Sequence, residues 1–157
     1  MTKIAIFVDV QNIYYTTRQT YGRQFNYRKL WKQLSTQGDI IIANAYATHR
    51  GDDKQIKFQD ALKHIGFTVK LKPYIQRSDG SAKGDWDVGI TIDIMETAKA
   101  VDRVILLSGD GDFDLLLDKI RNNHQVSAEV YSVEALTANS LIQAASAWHP
   151  ILNDLLL

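Results

Sequence analysis

Along the chain, short apolar stretches rich in β-branched residues alternate with segments whose apolar positions recur every three or four residues. This is the pattern of βαβ units that cover both faces of a parallel sheet. It predicts strands over residues 3–9, 39–47, 67–74, 103–108 and 126–131. Helices are expected over 27–37, 52–65, 87–100 and 112–122, the second closing at Gly66 as a C-cap. Between the first strand and the first of these helices, Val10-Gln11-Asn12 reads as a polar turn after Asp9. A last helical stretch over 138–145 leads into Trp148-His149-Pro150 and a short apolar tail expected to dock on the core. Residues 76–84, rich in Ser, Asp, Gly and Lys, form the one irregular stretch. They are either a candidate lid or a plain surface connection.

The strands at 4–8 and 104–107 are too apolar to be anything but central and buried. In an open parallel sheet, ligands bind outside the carboxyl ends of the strands, where neighbouring connections diverge. Asp9 ends the first of these strands, and the second delivers Ser108-Gly109-Asp110-Gly111-Asp112. If the two strands are neighbours, their acidic tips converge. On a helical projection of 87–98, at about 100° per residue, Val88, Ile90, Ile92, Ile94, Met95 and Ala98 share a wide apolar arc centred near Asp87. Asp93 and Glu96 fall on the opposite, solvated arc. An inward-facing carboxylate at a helix start is costly unless it caps the helix, pairs with a cation or binds a metal. Asp110 or Asp112 can serve as an N-cap for the helix marked by Phe113, Leu116, Leu117 and Ile120, and Asp85 or Asp87 can do the same for its helix. Two acids at each helix start exceed what capping requires. Asp114 and Asp118 lie on the far side of their helix, in reach of Arg121.

Composition narrows the chemistry. At 157 residues, with 45% hydrophobic and 23% charged side chains, the chain has the balance of one ordinary globular domain, expected to span 1–157. The absence of cysteine excludes disulfides, thiolate zinc sites and cysteine nucleophiles. No apolar run approaches the ~20 residues of a membrane span, so a cytoplasmic protein with no membrane partner is expected; homo-oligomerisation is left open. The net charge of zero conceals a division: residues 1–84 carry fourteen Lys and Arg against six Asp and Glu, residues 85–157 four against twelve. A basic half suits a polyanion and an acidic half suits metal cations.

Four carboxylates, Asp9, Asp87, Asp110 and Asp112, gathered in one cleft would repel one another by about 4 kcal/mol per pair at 4 Å and an effective dielectric of 20. A hard divalent cation offsets this best. The histidines His49, His64, His124 and His149 show no ligand spacing, so Mg2+ or Mn2+ is expected rather than zinc. Such ions lower the pKa of bound water and neutralise charge developing on a phosphodiester. That is nuclease chemistry.

The blocks Phe7-Val8-Asp9-Val10-Gln11-Asn12, Lys83-Gly84-Asp85-Trp86-Asp87-Val88 continuing to Asp93, and Leu107-Ser108-Gly109-Asp110-Gly111-Asp112-Phe113 resemble the LabA-like branch of the NYN family in the PIN-like nuclease superfamily. Order and spacing match along nearly the whole chain. The resemblance implies a Rossmann-like three-layer α/β/α sandwich with a parallel sheet of about five strands, order 3-2-1-4-5. It also implies metal-dependent cleavage of RNA, with Asp9, Asp87, Asp110 and Asp112 as the acidic positions and Asn12 orienting Asp9 or a metal-bound water. Asp93 matches a further acidic position and ranks last. Trp86 stretches the family's Lys-Gly-x-Asp spacing by one residue, which leaves the choice between Asp85 and Asp87 open. Lys83, Arg77, Tyr14, Arg18 and Ser108 are the candidate RNA contacts, as cations for phosphates, rings for unstacked bases and a hydroxyl.

Other readings fit less well. A non-catalytic RNA-binding or regulatory module of the same fold is the alternative. A haloacid-dehalogenase-like phosphatase would need an acid at position 11, which is Gln. Leu115 and Arg121 replace the glycine and closing acid of an EF-hand loop, and neither GxGxxG nor GxxxxGK[ST] occurs.

Overall fold

The computed structural model describes residues 1–49, 51–73, 75–76, 82–83 and 85–157. Six strands form one wholly parallel sheet: β1 (Lys3–Asp9), β2 (Asp39–His49), β3 (Thr68–Pro73), β6 (Arg103–Leu107), β7 (Ser127–Ser132) and β8 (Ala147–Pro150). Their spatial order is β3-β2-β1-β6-β7-β8, or 3-2-1-4-5-6 within the sheet. The two-residue strands β4 (Ile75–Gln76) and β5 (Ala82–Lys83) pair antiparallel. The lid expected over 76–84 otherwise lies outside the described residues.

Alternation along the central strands divides the core in two. Ile4, Ile6 and Val8 of β1, with Ile105 and Leu107 of β6, face one layer; Ala5 and Phe7, with Val104 and Leu106, face the other. The first layer holds α1 (Val10–Tyr21), α2 (Tyr27–Ser35) and α3 (Asp53–Ile65), through Ile13, Leu30, Leu34 and Leu62. The second holds α4 (Asp87–Ala98), α5 (Asp114–His124) and α6 (Asn139–Ala144), through Ile90, Ile94, Leu117, Ile120 and Leu141. The architecture is a three-layer α/β/α sandwich. From β1 the chain builds outward through β2 and β3, then returns to β6 and builds the other way, so the strand order reverses between β1 and β6.

Three elements differ from the sequence expectation. Val10-Gln11-Asn12 opens α1 rather than a turn. Its buried stripe is Val10, Ile13, Thr16 and Thr17, and the two threonine hydroxyls donate to the Asn12 and Ile13 carbonyls at 2.8 Å. Half of the inward face is thus hydroxylated, which hides the helical period from an apolar count. The sixth strand, β8, is four residues long and ends at Pro150, too short to show alternation. The tail beyond it docks as expected: Leu155 and Leu156 are buried, and Leu156 bridges to Phe25. In α4 the buried face is narrower than projected, being Ile90, Ile94 and Ala98, while Val88 and Ile92 are exposed. The helix lies against the sheet on one line of i, i+4 contacts, with Met95 partly buried beside it and Val88 and Ile92 left outside.

Among the described residues, no helix is long and apolar enough to cross a membrane.

Candidate functional site

The rim at the carboxyl ends of β1 and β6 is organised by a buried hydroxyl. Ser108, with no exposed surface, donates to Asp9 Oδ2 at 3.1 Å and accepts the Asp110 N–H at 3.2 Å. Next to it, the Gly109 N–H donates to Asn12 Oδ1 at 3.0 Å, tying the loop after β6 to the first turn of α1. Gly109 is needed because a Cβ there would lie 2.7 Å from the Leu136 carbonyl oxygen. Asp110 then caps the short 3-10 turn Gly111–Phe113, its Oδ1 accepting the Asp112 N–H at 2.9 Å. On α4, Asp85 takes the corresponding part: its Oδ1 accepts the Asp87 N–H at 3.2 Å. Of the capping alternatives left open by the sequence, Asp110 caps the 3-10 turn, whereas α4 opens at Trp86 without a side-chain cap and Asp85 accepts the Asp87 N–H just ahead of it.

Asp87, Asp110 and Asp112 converge, each offering a carboxylate oxygen within 4.8 Å of the others. Among the described residues, none of the three pairs with a Lys, Arg or His. Burial pushes the Asp87 carboxyl up to about 7, helped by the Asp110 carboxylate within hydrogen-bonding reach and by the charges of Asp9 and Asp85. Asp9 stands beside this trio and joins it through Ser108. Its own carboxyl is raised to about 6, chiefly by burial, against the lowering effect of the Ser108 hydroxyl and the Asn12 backbone N–H.

The remaining candidates are placed differently. Asp93 is neither in the acidic group nor on a solvated arc. Tyr46 Oη and Lys70 Nζ both donate to its Oδ2, at 2.6 and 2.7 Å. Burial opposes its ionisation, but those two partners hold its carboxyl below the usual range. Ser108 is sealed inside and turns its hydroxyl to Asp9, so it has no surface to present to a substrate. Tyr14 and Arg18 lie one turn apart on α1 and are exposed, the guanidinium donating to the Tyr14 hydroxyl at 2.6 Å. Arg77 and the side chain of Lys83 lie outside the described residues. Arg121 donates to the Ala144 carbonyl instead of pairing with Asp114 or Asp118.

Several neighbours of the rim had not been singled out. Tyr46 stands in register with Asp9 across β1 and β2. Lys70 and Lys72 follow on β3, Lys72 Nζ donating to the Asp85 carbonyl at 3.1 Å and lying 4.6 Å from the Trp86 ring centroid. Here the basic half of the chain meets the acidic half. The alternation of Lys70 and Lys72 on one face of an edge strand was the available signal.

The donor set is all hard carboxylate oxygen and has no cationic partner among the described residues, which fits a divalent cation. The chain is 31% identical to the Low amplitude and bright protein LabA of Synechococcus elongatus, over 98% of this chain and 86% of that protein. It is 51% identical to a Vibrio parahaemolyticus protein of unknown function whose crystal structure superposes with a TM-score of 0.94, over 99% of this chain and 96% of the other. The NYN domain model matches residues 3–152, and this chain belongs to the NYN domain family.

Proposed function

We propose that this protein is a metal-dependent ribonuclease that hydrolyses RNA phosphodiester bonds at the acidic rim. The observation that carries the reading is the convergence of Asp87, Asp110 and Asp112 within 4.8 Å with no cationic partner among the described residues. Membership of the NYN family supports a nuclease at the level of the family.

In this reading Asp87, Asp110 and Asp112 hold Mg2+ or Mn2+, and Asp9 completes the rim from β1. The bound ion supplies a lowered pKa for a coordinated water and neutralises charge on the phosphodiester. The chain's own residues do the rest. Ser108 fixes the Asp9 carboxylate and the Asp110 backbone together, and Asn12 holds the Gly109 amide, so the loop is set before substrate arrives. Lys72 on the edge of the rim, and the exposed Tyr14 and Arg18 on α1, offer phosphate contacts and a stacking surface for single-stranded RNA.

A second reading, an RNA-binding module without turnover, is favoured by the backbone N–H groups that Asp85 and Asp110 accept, which give two of the acids structural work. Incubation with end-labelled RNA and DNA in Mn2+, Mg2+ or chelator separates the two. Cleavage of RNA that chelator abolishes, and that Asp110→Asn removes while the protein stays folded, is the expected result. Retention of RNA without any cleavage in either metal would establish the binding module instead.

A further inference from the structure

Three carboxylates held within 4.8 Å repel, and Asp87 is the one delivered by a separate helix, free in principle to rotate away. Asp85 sets the local turn, but its side chain is exposed, and its one tie to the sheet among the described residues is its backbone carbonyl, which accepts from Lys72 of β3 at 3.1 Å. The anchor is the next residue. The Trp86 indole N–H donates to the Ala47 carbonyl of β2 at 2.9 Å. Its six-membered ring lies on Gly89 so closely that a Cβ there would fall 2.6 Å from it, and it meets the Tyr46 ring at 5.3 Å between centroids. The Trp86 carbonyl accepts the Ile90 N–H at 2.8 Å, so the same residue opens the α4 hydrogen-bond ladder. About two turns further on, Tyr46 and Lys70 fasten Asp93. The attachments at Trp86 and Asp93, two turns apart, fix both the height and the rotation of α4.

We propose that Trp86 is a positioning residue that holds Asp87 beside Asp110 and Asp112 by locking the first turn of α4 to the end of β2. The proposal rests on the metal-site reading above. It gives a purpose to the one residue by which this chain lengthens the spacing between Gly84 and its inward acid. Gly89 belongs to the same device, because only a residue without a side chain leaves room for the edge of the indole's six-membered ring against the helix.

The test is Mn2+ binding followed by electron paramagnetic resonance, with circular dichroism as the check on folding. Residues that support a metal ligand from behind typically change affinity by about 10- to 100-fold when removed. Trp86→Ala is expected to weaken Mn2+ binding about tenfold or more. Trp86→Phe, which keeps a ring on Gly89 but loses the indole N–H, should fall between it and the parent. Gly89→Ala, which displaces the ring, should resemble Trp86→Ala. Ile65→Ala, at the end of α3, is the control: it lowers the thermal midpoint by loss of packing and leaves Mn2+ affinity unchanged. Folded Trp86 and Gly89 variants that bind Mn2+ as the parent does would overturn the proposal, as would an equal loss in Ile65→Ala. Should Trp86→Ala not fold, Trp86→Phe and Gly89→Ala decide it alone. A parent protein that binds no Mn2+ would remove the metal-site reading itself, an outcome distinct from parental affinity in the variants.

Discussion

Ser108 and Asp9, ninety-nine residues apart in sequence, meet at 3.1 Å across the ends of β1 and β6, and the same hydroxyl receives the Asp110 amide. One buried side chain thereby couples the two strand ends on which the acidic rim is built. Ser108→Ala leaves a carboxylate oxygen and an amide without this partner, at a cost of about 1–2 kcal/mol. It should also raise the Asp9 pKa above its value of about 6, since the hydroxyl lowers it. Urea denaturation measures the first effect and NMR titration of the Asp9 carboxyl the second; an unchanged Asp9 titration would contradict the role assigned to Ser108.

The rim has a pH signature in the metal-free state. Asp9 and Asp87 titrate at about 6 and 7 in the folded protein against an ordinary 3.8, so the folded state binds protons more readily than the unfolded one. That stability is present below pH 3.8 and is lost as pH rises through about 6 and 7. In chelator, the parent should therefore lose thermal midpoint relative to Asp110→Asn across this interval, because the amide removes the charge facing Asp87 while retaining a capping oxygen. Parallel midpoint curves for the two proteins would count against like-charge repulsion at the rim.

A second signature, of opposite sign, lies at the far side of the sheet. Arg103 holds Glu129 through Nε and Nη2 at 2.6 and 2.9 Å, and His149 Nε2 lies 3.0 Å from the same carboxylate. Burial resists ionisation there, but these partners bring the Glu129 carboxyl down from 4.5 to about 2. The stabilisation, on the order of 2–3 kcal/mol, is complete above pH 4.5 and is lost as pH falls through about 2. Glu129→Gln should flatten acid unfolding in that window, read by fluorescence against pH.

Gly109→Ala tests the close approach of the loop to the segment after β7. The added methyl would meet the Leu136 carbonyl oxygen at 2.7 Å, and the backbone is held by the Ala138 N–H donating to the Gly109 carbonyl at 3.1 Å. A loss of about 1–3 kcal/mol is expected from guanidinium unfolding. A variant as stable as the parent would show that the loop can yield.

The central strands and their acidic ends were legible because unbroken runs such as Ile4-Ala5-Ile6-Phe7-Val8 admit one interpretation, and because an acid directly after such a run must stand at the sheet's edge. α1 was not legible: Thr16 and Thr17 bury hydroxyls satisfied within their own helix, which an apolar pattern does not register. Asp93 was misplaced for a related reason. A projection ranks positions by polarity and cannot foresee that Tyr46 and Lys70, more than twenty residues earlier, supply a half-buried carboxylate with partners. Ser108, at the end of its strand and expected among the RNA contacts, is instead turned inward by the adjacency of β1 and β6.

The most direct measurement is anomalous diffraction at the manganese edge from crystals grown in Mn2+. The account predicts a peak bounded by Asp87, Asp110 and Asp112, with Asp9 alongside. Carboxylates turned away from one another, with no anomalous signal among them at saturating Mn2+, would contradict it.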